Sequence, residues 1–178
     1  MDDVAVGEGA DRKLTVAGPV KIRARVAAYL DPAPSAEARA IRAKQLFDKP
    51  YWSIERARLG DSRKVPLEVV VNGRAVARRE VEADGKFRDV EIEVPIEQSS
   101  WVALRIYLSS HTNPVFVEVA DRPIRASKKS ADWCLKCVDQ CWSQKQRLTR
   151  PSERDAALKA YEQARESYRK ILAESTPD

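Results

Sequence analysis

Apolar and polar residues alternate with a period of two over much of the chain. Val20, Ile22, Ala24 and Val26 fall on one side, with Lys21, Arg23 and Arg25 between them, the signature of a half-buried strand. Gly18-Pro19 separates this run from a shorter one around Leu14 and Val16. In the centre, the β-rich residues 65–71 lead into Asn72-Gly73 and then residues 74–79. Both positions of such a turn need positive φ, so the pair predicts a hairpin. Asp84-Gly85 repeats the device ahead of Val90, Ile92 and Val94, with Glu91 and Glu93 on the other face. Next, Val102, Leu104, Ile106 and Leu108 alternate with Trp101, Ala103, Arg105 and Tyr107; Val115, Val117 and Val119 come after them. The pattern predicts a mainly β fold, an antiparallel immunoglobulin-like sandwich rather than a closed barrel.

Two regions break the pattern. Residues 31–64 hold a helix over 36–46 capped by Ser35, then Lys49-Pro50-Tyr51-Trp52-Ser53-Ile54-Glu55-Arg56-Ala57-Arg58. A connection this long is functional or packs on the sheet edge. After residue 126 the period becomes helical. Ser130 caps a helix over 131–148 with a stripe of Cys134, Leu135, Val138, Cys141 and Trp142. Ser152 and Asp155 stand at capping-box spacing before Ala157, Tyr161, Ala164, Tyr168 and Ile171. Two amphipathic helices with a short joint form an antiparallel hairpin. The expected organisation is a flexible N-terminus (1–12), a sandwich domain (13–126, with insertion 31–64) and a hairpin (127–178) packed on it.

Composition narrows the function. A hydrophobic share of 43% suffices for a core, and the 33% charged residues solvate the surface. The net charge of +5 is spread among interleaved acids and bases, which argues against nucleic acid as a partner. No apolar run approaches the roughly 18 residues of a membrane span. The acidic start, Met1-Asp2-Asp3, lacks the apolar core of a signal peptide. Three cysteines, all between Cys134 and Cys141, make an odd and closely spaced set. They do not resemble a disulfide framework and favour a reducing, cytoplasmic setting.

Several stretches resemble, in order, the C-terminal region of PHP-type metallohydrolases of the carbaryl-hydrolase-like (CehA/McbA) branch. They are Tyr51-Trp52-Ser53-Ile54-Glu55-Arg56-Ala57-Arg58, Val70-Val71-Asn72-Gly73, Ser99-Ser100-Trp101-Val102-Ala103-Leu104-Arg105, Ser110-His111-Thr112-Asn113-Pro114-Val115 and Arg122-Pro123-Ile124-Arg125-Ala126-Ser127, with Ala131-Asp132-Trp133-Cys134-Leu135-Lys136 in the tail. The resemblance implies hydrolysis by a histidine and carboxylate cluster holding divalent metals, in a separate domain N-terminal to the matched part. This chain has one histidine, His111, so none of that family's metal ligands carries over. What the resemblance implies is an accessory domain of a hydrolase.

The residues themselves offer few chemical constellations. Cys134, Cys137 and Cys141 fall at i, i+3 and i+7, so a helix sets them along one face, where His111 or a carboxylate would complete a metal site. No turn separates them, and cysteines in a helical seam are ordinarily packing residues; no metal or cofactor is expected. His111 adjoins Ser109 and Ser110 in sequence, but adjacency is not triad geometry, and no phosphate-binding glycine loop is present. No catalytic residue is therefore assigned. The ligand-binding candidates are Tyr51, Trp52, Glu55, Arg56, Arg58, Trp101, Arg105, His111 and Asn113. Tyr51, Trp52, Glu55, Arg56 and Arg58 would form a ledge with Trp101 and Arg105, the rings stacking on sugars or apolar ligands and arginine presenting its fork to carboxylates. The competing and preferred account is structural: Glu55, Arg56 and Arg58 pair locally to pin the insertion, while Trp52 plugs the sandwich edge.

The expected function is a non-catalytic accessory or interaction domain of, or associated with, a PHP-type hydrolase. Its expected partner is a catalytic domain in cis or trans, or a neighbouring subunit. The alternative is a self-standing module of carbohydrate-binding type, with a glycan or small molecule as ligand.

Overall fold

The structure, a computed structural model, describes Ala5 and residues 11–178. The expected flexible segment 1–12 lies largely outside the described residues. The chain divides into two compact units between Arg122 and Pro123.

Among the described residues the first unit holds eight strands: β1 Arg12–Leu14, β2 Gly18–Val26, β3 Lys64–Val71, β4 Arg74–Glu82, β5 Arg88–Ile96, β6 Ser100–Ile106, β7 Ser110–His111 and β8 Val115–Val119. They form a six-stranded sheet in the order β1-β8-β6-β3-β4, with β7 on β6, and a two-stranded sheet of β2 and β5. The sheets do not close into a barrel. Their alternating apolar faces share one core: Val65, Leu67, Val69, Val81, Val102, Leu104, Ile106, Val117 and Val119 from the larger sheet, Ile92, Val94 and Ile96 from the smaller. Val20, Ile22, Ala24 and Val26 pack against it. The solvent face of the small sheet is a ladder of opposite charges, Lys21 opposite Glu93, Arg23 opposite Glu91 and Arg25 opposite Asp89.

Turn chemistry accounts for the hairpin and for one departure from expectation. Asn72 (φ 50°) and Gly73 (φ 88°) are both left-handed, as a tight turn between β3 and β4 requires. Asp84-Gly85, read as a second hairpin, is instead a corner. It carries the chain from β4 in one sheet to β5 in the other, which pair in no common ladder. Its hydrogen bonds go to the segment after β2, with Gly85 N–H donating to Ala28 O at 2.8 Å. Asp84 accepts from Arg88 at 2.7 and 3.0 Å. Gly18-Pro19, read as a break, lies within β2; Pro19 faces Pro95 in a sheet whose strands are both edges, where a missing N–H is tolerated. The parallel pairing of β1 with β8 had no sequence signal.

In the insertion, α1 (Ala36–Ala43) starts as read, Ser35 Oγ accepting from Ala38 N–H at 3.1 Å. It stops short of the expected end, leaving Leu46 and Phe47 exposed.

The second unit contains α2 (Lys128–Lys145) and α3 (Arg154–Glu174). Ser127, not Ser130, caps α2 by accepting from Ser130 N–H at 3.0 Å. The capping box at Ser152 does not form. Pro151 opens a 3-10 turn, Pro151–Glu153, that runs into α3 without a side-chain cap, its fixed φ suiting a first helical position. The helices are antiparallel: Trp142 packs on Tyr161 with centroids 4.9 Å apart, and Arg165 donates to Asp139 at 2.7 Å. The open end is closed by Arg125 on Glu174 at 2.8 Å and by two backbone bonds of Thr176, to Arg125 and Lys128. No helix of the described residues is long and apolar enough to cross a membrane.

Candidate functional site

The insertion candidates are structural pins. Arg58 has a side chain with 0% exposure. It donates to both Glu55 oxygens at 2.7 Å, to Ser62 O at 3.0 Å and to Asp31 O at 3.0 Å. The guanidinium holds the Glu55 carboxyl below its usual range. Arg56 donates to Gln45 O and Asp48 O at 2.9 and 2.8 Å. Each arginine thus ties loop carbonyls of the irregular insertion together, Gln45 O accepting from Asp48 N–H as well as from Arg56. Local pinning is what the preferred account foresaw, but its other half fails. Trp52 is 74% exposed and plugs nothing; among the described residues its ring meets its neighbour Tyr51, edge-on at 5.8 Å.

Trp101 and Arg105 stand elsewhere, on the outer face of the larger sheet. Arg105 bonds Glu68 at 2.7 Å across β6 and β3 and lies over the Tyr107 ring at 4.7 Å. Half-buried Trp101 sits beside the Asn72-Gly73 turn, its N–H donating to Asn72 Oδ1 at 3.1 Å, and faces Phe116 of β8. That turn is at the far end of β3 from the insertion, about 23 Å along the strand. Among the described residues no hydrogen bond or ring contact joins Tyr51 or Trp52 to Trp101 or Arg105. His111 is exposed on β7, its Nδ1 3.0 Å from Thr112 O, with no hydrogen bond to Ser109 or Ser110 among the described residues. Asn113 is exposed beside it.

The three cysteines share one groove of the hairpin. A cavity of about 540 Å³ is lined by Trp133, Cys134, Cys137 and Cys141 of α2 and by Tyr161 and Tyr168 of α3, among others. Small residues, Cys137, Ala160 and Ala164, line it together with the aromatic Trp133, Tyr161 and Tyr168. All three thiols are free. They line the groove without converging: among the described residues no group of three or more His, Cys, Asp or Glu side chains is placed to hold a metal ion. Cys141 Sγ lies 3.2 Å from the Tyr161 hydroxyl. That hydrogen bond, aided by Lys145, lowers the thiol's pKa, and the tyrosine's rises in turn.

The α3 half of the groove was visible as a helical stripe, but its meaning was not. Trp133 falls outside the periodic stripe of α2 and is 67% exposed, so periodicity gave no reason to pick it. No protein-family model matches the chain, and no curated protein or solved structure is significantly similar to it.

Proposed function

We propose that this chain is a non-catalytic interaction module whose helical hairpin docks on a partner protein through the thiol-lined groove. The sheets are read as an immunoglobulin-like sandwich, the carrier of the hairpin. The partner class is the catalytic domain of a PHP-type metal-dependent hydrolase, in cis or in trans, the class to which the resemblance of residues 51–58 and 99–105 points. One observation carries the reading. Two helices of 18 and 21 residues bury a single residue, Ala131, to the level of a core, while their apolar stripes line an open groove. Helices of this length gain their stability by covering such a face, and an open groove lined by small and aromatic residues suits a helix laid into it.

Calorimetric titration of the full chain with a separately expressed catalytic domain of this hydrolase class tests the proposal. Binding that weakens by about tenfold or more when Ala164→Arg puts a charge into the groove supports it. No heat of binding, or binding untouched by that substitution, overturns it. A second reading, glycan binding, is favoured by the exposed Tyr51–Trp52 pair. Quenching of Trp52 fluorescence by oligosaccharides, lost in Trp52→Ala, would replace the first reading with the second.

A further inference from the structure

We propose that the free edge of β4 is a docking strand for an acidic, extended segment of a partner protein, which adds to the six-stranded sheet beside Arg74, Arg78 and Arg79. The strand is the last of its sheet, so every second residue turns its N–H and C=O away from β3. Residues 74–80 are exposed apart from the half-buried Ala77.

The distribution of charge singles this edge out. The strand arginines of β2, β5 and β6 all have partners: Arg23 with Glu91, Arg25 with the Phe87 ring, Arg88 with Asp84 and Arg105 with Glu68. Arg74, Arg78 and Arg79 make no ion pair, side-chain hydrogen bond or ring contact among the described residues. Glu68, opposite Arg78 in the register, is committed to Arg105, and Glu80 of β4 to Lys64 at 3.1 Å. Three uncompensated cations thus lie within about 17 Å of strand. Arg78 shares the outer face with Glu68, while Arg79 shares the core-side face with Leu67. Val76, at the register shift, is 51% exposed. A segment with acids on both faces and a small apolar residue near Val76 matches this pattern.

Charged edges also guard sheets against joining one another. Here the guard is selective. A second copy's β4 would bring arginine against arginine, whereas an acidic strand gains main-chain hydrogen bonds and cross-strand ion pairs together. The edge is closed to itself and open to the opposite charge.

The test uses the full chain and a fluorescein-labelled octapeptide of repeating Glu-Glu-Val-Val, which sets acids on both faces of a strand, with anisotropy read at low and moderate salt. Expected are saturable binding that weakens with salt, slowed hydrogen exchange at β4 amides, and a loss of about tenfold or more when all three arginines become glutamine. The Arg→Lys triple variant should keep most of the binding, and unchanged circular dichroism would show both variants folded. A peptide of the same charge with proline at alternate positions cannot pair as a strand and should not protect β4. Equal binding of the proline peptide, no protection of β4 amides, tighter binding of oligouridylate, or no binding at low salt would each overturn the proposal.

Discussion

Arg58→Met should destabilise the first unit by about 3–4 kcal/mol, and the structure sets that figure. The native guanidinium makes four hydrogen bonds, two of them to Glu55. Asp31 and Ser62 are exposed residues whose carbonyls meet Arg58 in partly buried bonds, so their loss is the smaller part of the cost. Glu55 is the larger loss: its side chain is 16% exposed and would keep its charge without a partner. Removing one member of such a pair costs about 3–5 kcal/mol, because the remaining charge stays desolvated. Replacing both residues by apolar ones removes that charge, so Glu55→Met with Arg58→Met should be less damaging than Arg58→Met alone. Acidity supplies a further signature. In the native protein Glu55 has a lowered pKa, so its contribution is present above the unfolded value of about 4 and fades as pH falls below it. In Arg58→Met the same carboxyl is raised, and lowering the pH relieves it. The gap between the two proteins in urea midpoint should therefore narrow from pH 7 to about 4. Urea unfolding followed by fluorescence and by circular dichroism measures all of this. A single variant within about 1 kcal/mol of native, or a double variant as unstable as the single, would refute the assignment of Arg58 as a buried pin.

Three further outcomes are expected from the same geometry. Asp84 and Glu91 are held below the usual carboxylate range by Arg88 and by Arg23 with Lys21. Stability should thus be level above about pH 5 and fall as pH drops through about 4, and Arg88→Gln should flatten that fall in acid titrations monitored by circular dichroism. Tyr161→Phe removes the hydrogen bond that favours the Cys141 thiolate; the pH profile of iodoacetamide labelling at Cys141, read by mass spectrometry, should move to higher pH. Gly73→Ala, at φ 88°, should cost about 1–2 kcal/mol in urea unfolding, since L side chains rarely adopt that φ, while the new Cβ would only touch Trp101 at an ordinary 3.9 Å.

The strands were legible because each turns one face to a shared core, and that periodicity is local. Hence β2, β3, β5, β6 and β8 stand where alternation placed them, except that β6 ends at Ile106, before Tyr107 and Leu108, and Asn72-Gly73 made its hairpin. Sheet membership was not legible. Asp84-Gly85 carries the same local signal as Asn72-Gly73, yet its hydrogen bonds go to Ala28 and its flanking strands to different sheets. A two-residue turn specifies a bend, and only the distant partner decides whether the bend is a hairpin or a corner. The buried hydroxyl of Ser99, donating to Arg122 O at 2.6 Å and accepting from Val119 N–H at 2.8 Å, was hidden for the same reason.

Local signals also misjudged the chemistry of single residues. Trp52 is large and apolar, which argued for burial, but Arg56 and Arg58 already fasten the insertion to carbonyls, so no ring is needed as a plug. Cys134, Cys137 and Cys141 share a helical face, which argued for burial against a neighbour, and they line a groove with Trp133 exposed at its wall. The two exposures differ in kind. Tyr51 and Trp52 meet edge-on in an irregular loop, whereas the groove residues recur at helical spacing on α2 and α3, two helices that pack on each other. A regular two-helix face offers a partner helix a matched surface, which is why the proposed docking site is the hairpin and not the aromatic pair of the insertion.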